Sequence, residues 1–210
     1  MTGIIAQNVG RTSGLIKAAS GGSGGVWPKI KTLTASSSAT LSFVNGTSDV
    51  VLDSTYPIYV FKFINIHPSG TNRFQFNGSI DAGSNYNVTK TTTVFVAGVK
   101  EDASDAAVTY QSGDDHAQQT SFQDLMAYGD QDADNDHSLN GTLQIFNPSS
   151  TTFVKHFIAR TQANIDADYS VQTFVAGYFN DTNDIDAIQF KMNSGEVDSG
   201  KIKLYGIGDS

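Results

Sequence analysis

From residue 39 onward, short apolar stretches rich in Phe, Val, Ile, Tyr and Thr alternate with clusters of Gly, Asn, Asp, Ser and Pro. That pattern predicts strands separated by turns. In residues 73–77, Phe74 and Phe76 fall on one face and Gln75 and Asn77 on the other, the period-two signature of a strand with one side in a core. Near the C-terminus, Ile188, Phe190 and Met192 oppose Gln189 and Lys191, and Ile202 and Leu204 oppose Lys203 and Tyr205. The predicted strands are residues 39–44, 58–66, 73–77, 91–100, 108–111, 139–146, 152–160, 171–179, 185–192 and 201–207. No sustained 3.6-residue period appears, so helix content should be low; the best helical candidate is the short segment Ser121–Tyr128, which fits a loop equally well. The expectation is an all-β, antiparallel sandwich of jelly-roll type. Its sheet edges would be protected by wrapping or by pairing between subunits, for which a homotrimer is favoured.

The first residues read differently. Met1–Ala19 is a mixed-polarity segment with too few apolar side chains for a core of its own, followed by Ser20-Gly-Gly-Ser-Gly-Gly25, which has the composition of a flexible tether. The tract lacks the Lys-Ser/Thr of a phosphate-binding loop. The division is therefore an arm and linker at 1–25 and a β domain at 26–210, with the arm ordered on a partner. No cationic-then-apolar signal opens the chain, and no apolar run reaches bilayer length, so neither export by such a signal nor membrane insertion is expected.

Charge sharpens this division. The net charge is −8, from 13 Lys and Arg against 21 Asp and Glu, which argues against nucleic acid as a partner. No acid precedes Asp49, whereas ten acids and no Lys or Arg lie between Glu101 and Val154. A basic attachment segment would thus stand opposite acidic distal loops. With no cysteine, disulfides, thiol catalysis and Cys-based metal sites drop out.

Candidate chemistry is sparse. Asp130, Asp132, Asp134 and Asp136 alternate as in the opening of a calcium loop, but Asn135 stands where a glycine is needed and Gly141 where a bidentate Glu would close the site. The expectation is a solvated acidic loop, with calcium as the weaker alternative. Asp114, Asp115 and His116 form a second polar loop. His67, His116, His137 and His156 lack zinc-ligand spacing, and no GxSxG is present. Glutamates are limited to Glu101 and Glu196, so a carboxylate-pair glycosidase is disfavoured, and no catalytic residue and no cofactor are assigned. Tyr56, Tyr86, Tyr110 and Tyr128 lie near predicted turns, where a ring can stack on a sugar, but with eight Tyr and 13 Phe most aromatics are needed in the core and no sugar-site residue is assigned.

The opening MTGIIAQNVGRTSGLIKA resembles the N-terminal signature of virion structural proteins, of tail-fibre type, in marine tailed bacteriophages. Further along, TASSSATLSF (34–43), YVFKFINIHPS (59–69), GSNYNVTKTTT (83–93), FNPSSTTFVKHFIA (146–159), FVAGYFN (174–180) and IDAIQFKMNSGEVDSGKIKLYGI (185–207) resemble the C-terminal β domain of such proteins. The resemblance implies a non-enzymatic virion protein. Ile4, Ile5, Asn8, Arg11, Leu15 and Ile16 would engage other virion proteins of the tail or capsid, and the β domain would face a host-surface glycan or receptor. A capsid decoration protein attached by the same arm is the alternative, with a carbohydrate-processing enzyme and a cellular lectin behind it.

Overall fold

The computed structural model describes residues 27–166 and 168–208. Every regular element among them is a strand: β1 (Lys29–Thr34), β2 (Leu41–Val44), β3 (Ile58–Pro68), β4 (Phe74–Ser79), β5 (Lys90–Lys100), β6 (Ala106–Tyr110), β7 (Gln123–Asp124), β8 (Leu139–Phe146), β9 (Lys155–Ile165), β10 (Tyr169–Phe179), β11 (Ala187–Met192) and β12 (Val197–Ile207). They form two antiparallel sheets, an eight-stranded one in the order β1-β12-β3-β8-β9-β10-β5-β6 and a four-stranded one in the order β2-β11-β4-β7. This is the antiparallel sandwich expected from the alternation. The strand order describes a sandwich and does not by itself establish a jelly-roll winding.

Each predicted strand segment contains a strand, with its ends displaced by a few residues. The helical candidate Ser121–Tyr128 is not a helix. Its apolar residues Leu125, Met126 and Ala127 are consecutive rather than spaced by helical turns, and all three are buried. Gln123 and Asp124 pair with β4 as the two-residue β7, after which Leu125 N–H donates to the Phe74 carbonyl at 2.8 Å. The segment crosses the sandwich as an extended plug.

The core lies between the sheets and is dominated by aromatic rings. Phe190 of β11 is its hub, with ring centroids 5.3 Å from both Phe61 and Phe63 of the large sheet and 5.7 Å from Phe74 beside it. Phe76 meets Phe157 of β9 edge to face at 5.1 Å. The small sheet therefore covers β3 to β9. Beyond it, the inner faces of β9, β10 and β5 are covered by the irregular segment 111–131, whose backbone is met by inward-pointing threonines. Thr161 donates to the Leu125 carbonyl, Thr173 accepts from Ala127 N–H at 3.2 Å, and Thr92 accepts from His116 N–H at 2.8 Å. Buried backbone groups need such partners, and a threonine supplies one without leaving the strand.

Phe190→Ala should cost about 3–5 kcal/mol of stability, because the cavity would be walled by rings of both sheets. The midpoint of urea unfolding measures it. A loss below about 1 kcal/mol would show that the ring is not the hub of the core.

Candidate binding surface

Three polar clusters lie inside or at the rim of the sandwich. Arg73, the residue before β4, reaches Asp114 and Asp130 at 2.7 Å each and Asp124 at 3.4 Å. It thereby ties three points of the 111–131 segment to the small sheet. Burial raises the pKa of Asp124, against the lowering by Gln75 and Arg73.

The second cluster centres on Lys90, whose side chain is fully buried. Its Nζ donates to Asn77 Oδ1 at 2.8 Å, to the Val88 carbonyl at 3.2 Å and to the Ser121 carbonyl at 2.6 Å. No carboxylate lies among those partners, and burial pulls its pKa down to about 7. Lys155, also fully buried, donates to the carbonyls of Asp181 and Asn183. Phe179 is the register partner of both lysines, so the two flank one ring on neighbouring strands. Each ammonium gathers the carbonyls of a loop, as a tethered cation would.

The third is the acidic loop after Asp130. Its carboxylates do not converge: Asp130 goes to Arg73, while Asp132 lies 2.6 Å from His137 Nδ1 and accepts from Asp134 N–H at 3.0 Å. The carbonyls of Asp134 and Asp136 face His67 and Asn164. Among the described residues no group of three or more His, Asp or Glu side chains is placed to hold a metal ion. The calcium alternative thus has no assembled ligand set in this loop.

The other tyrosines and histidines considered above do not gather into one site. Tyr56 packs edge to face on Tyr59 at 5.7 Å, Tyr128 on Tyr169 at 5.8 Å, and Tyr110 donates to Asp115. Tyr86 accepts from Asn77 through its carbonyl at 2.7 Å. His116 is buried beside Lys90. His156 is exposed, 5.9 Å from the Tyr178 ring, because Lys155 occupies the inward position next to it. Ile4, Ile5, Asn8, Arg11, Leu15 and Ile16 lie outside the described residues.

The surface with a continuous chemistry is the outer face of the eight-stranded sheet, which strand-by-strand reading missed. Register aligns Tyr110, Phe95, Phe174, Arg160, Thr142, Lys62 and Lys203 in one row across seven strands. Phe95 and Phe174 stack at 4.6 Å, and the Arg160 guanidinium sits 5.3 Å over the Phe174 ring. Lys62 lies 4.9 Å from the Trp27 ring and 5.2 Å from that of Tyr205. Such cation–ring contacts hold long side chains upright in water.

Open grooves flank the row. One of about 450 Å³ is lined by Ala97, Val99, Ala106, Val108, Gln162 and Ser170, and another of about 480 Å³ by Thr91, Thr93, His156, Ile158, Ala176 and Tyr178. A third, of about 310 Å³, holds Asn140, Thr142, Arg160, Gln162 and Gln172. A strand glycine lines each, Gly98, Gly177 and Gly141 respectively. At Gly141 and Gly177 a Cβ would strike the Arg160 and Thr91 carbonyls of the neighbouring strands. The cross-strand signal was present as apolar and amide residues at the outward positions of β5, β9 and β10. Only register reveals that they are neighbours.

No protein-family model and no curated protein matches the chain. Among solved structures, a structural-genomics protein of unknown function from Bacteroides ovatus is similar over 51% of this chain, at 5% identity and a TM-score of 0.28. The chain spans 45% of that protein's length. A likeness at that score carries no inference about fold or function.

The buried cluster makes a pH prediction. Burial, with a smaller contribution from Lys90, lowers the His116 pKa from 6.5 to about 4. The unfolded chain therefore binds this proton first on acidification, and His116 contributes stability that is present above pH 6.5 and lost as pH falls toward 4. His116→Gln should remove that part of the slope, worth on the order of 2–3 kcal/mol across the window. Unfolding midpoints of both proteins from pH 7 to 4 decide it; parallel curves would refute the assignment.

Proposed function

We propose that this chain is a structural, adhesion-type protein of a phage particle, attached by its N-terminal segment and presenting its β domain to a host surface. The observation that carries the reading is the outer face of the large sheet. It exposes Phe95, Val99, Val108, Tyr110 and Ile158 beside open grooves floored by backbone and rimmed by amides and hydroxyls. An open face of that kind suits a partner that lies across it, such as a surface polymer or another protein, whereas a small substrate is enclosed in a concave pocket. The resemblance of the first 18 residues to virion proteins supplies the setting. The contact surface moves from the acidic loops to the sheet, since Asp114, Asp124, Asp130 and Asp132 are occupied in holding those loops together.

Copies associate as a homotrimer in this reading. β1, one edge of the large sheet, is protected by a register irregularity and by Lys29 and Lys31. The other edge, β6, is Ala-Ala-Val-Thr-Tyr, exposed throughout and free of charge or proline. Gln111 N–H and the Asp105 carbonyl point to β5, so antiparallel geometry turns the N–H and C=O groups of Ala106, Val108 and Tyr110 outward. An edge so bare is normally covered.

Locating and counting the protein on intact particles by cryo-EM tests the reading: a few copies at the tail are expected. Copies in the hundreds on the head would replace it with capsid decoration, and absence from the particle would end both. Deleting residues 1–20 should abolish incorporation while the domain keeps its unfolding transition. Light scattering should give a mass about three times that of the chain, falling to the monomer in Val108→Lys. A monomeric parent would remove the trimer.

A further inference from the structure

Charge in this protein is sorted by structure. The eight strands of the large sheet carry nine of the chain's 13 Lys and Arg and one of its 21 Asp and Glu, Asp198. Two of the nine, Lys90 and Lys155, are buried inward, but Lys62, Arg160, Lys201 and Lys203 stand at outward positions. Among the described residues no carboxylate lies within 4.0 Å of any of these four. Lys62 and Lys203 are moreover directly opposite each other on β3 and β12. Like charges paired across strands are destabilising, and a protein with 21 acids has placed none between them.

We infer that this row is a binding site for an anionic polysaccharide, a polymer bearing carboxylate or sulfate groups on its sugars. The inference rests on the adhesion reading above and names the ligand class of the same face. Inter-strand spacing puts the backbones of Arg160 and Lys62 about 10 Å apart and those of Arg160 and Lys203 about 14 Å apart. A chain running across the strands would therefore set successive acidic groups against Arg160 and then against the Lys62–Lys203 pair. Beside Arg160, the groove of Asn140, Thr142, Gln162 and Gln172 offers amides and a hydroxyl to sugar hydroxyls, the pairing that a polyphosphate backbone does not need. The aromatic supports of Arg160 and Lys62 hold the charges in place before the ligand arrives.

The test uses the full-length chain, with immobilised polygalacturonate as the probe and dextran and double-stranded DNA as comparison ligands. Retention on polygalacturonate that weakens with added salt, exceeds that on both comparison ligands and drops about tenfold or more in Arg160→Gln and in Lys62→Gln/Lys203→Gln supports the site. The double variant should also unfold at an unchanged or higher denaturant concentration, because it removes a repulsive pair; this separates loss of binding from loss of fold. No retention at low salt, undiminished retention of the variants, or tighter binding to DNA or to dextran overturns the inference. A protein found on particles that fails to bind polygalacturonate would lose only this inference. Binding by a protein absent from particles would instead remove the adhesion reading.

Discussion

Four strands cannot cover the inner face of eight, and the rest of this fold follows from how that shortfall is met. Over β3 to β9 the two sheets share an aromatic core centred on Phe190. Where the small sheet gives out over β9, β10 and β5, the chain lays Leu125, Met126 and Ala127 without a hydrogen-bonded ladder. An irregular segment buried in this way brings unpaired backbone groups into the core, each costing about 1–3 kcal/mol if left alone. Thr92, Thr161 and Thr173 on the large sheet supply the missing partners. Lys90 gathers two further carbonyls and Arg73 pins the outer turns, so most of the polar interior serves to hold one segment in place of a sheet.

That solution explains why charged groups appear where a sandwich ordinarily has none. A buried ammonium without a carboxylate is unfavourable unless hydrogen bonds replace its water, and at Lys90 three acceptors do so. At Lys155 two loop carbonyls play the same part. In both places a lysine does what a bound cation does in other loop-rich domains, with the charge supplied by the chain itself. The acids near these loops are then left to the solvent rim or to Arg73.

Much of the strand pattern was legible because one face of each strand is in the core, and alternation records that directly. β1 was missed: in Lys-Ile-Lys-Thr-Leu-Thr the side chains are half exposed on both sides, so burial imposes no clean period. The two-residue β7 and the plug after it are open in the sequence between helix and loop, because a run of apolar residues without turn signals fits a buried helix as well as an extended crossing. The face proposed to bind was hidden for another reason. Arg160 and Lys62 are almost one hundred positions apart in sequence and become neighbours of Thr142 only through register. The sorting of cations into strands and acids into turns was visible in the letters, but its meaning required knowing that those strands share a sheet. The acidic alternation after Asp130, by contrast, was locally conspicuous and structurally spent on Arg73, His137 and backbone turns.

The two halves of the charge pattern bear on each other. A basic face on a neutral or basic protein would attract any polyanion, nucleic acid above all, since polyphosphate binding is dominated by net charge and long-range attraction. Here the face belongs to a chain of net charge −8 whose acids crowd the loops. At a distance the molecule repels a densely charged polymer; within a Debye length, about 8 Å at physiological salt, the local cations prevail. A polymer with widely spaced acidic groups suffers less of the repulsion and can still place individual charges on Arg160 and the Lys62–Lys203 pair. Under the proposed reading the acidic rim is a selectivity element, setting a lower limit on the charge spacing of the ligand, and the unfavourable lysine pair is the part of the fold that such a ligand would relieve.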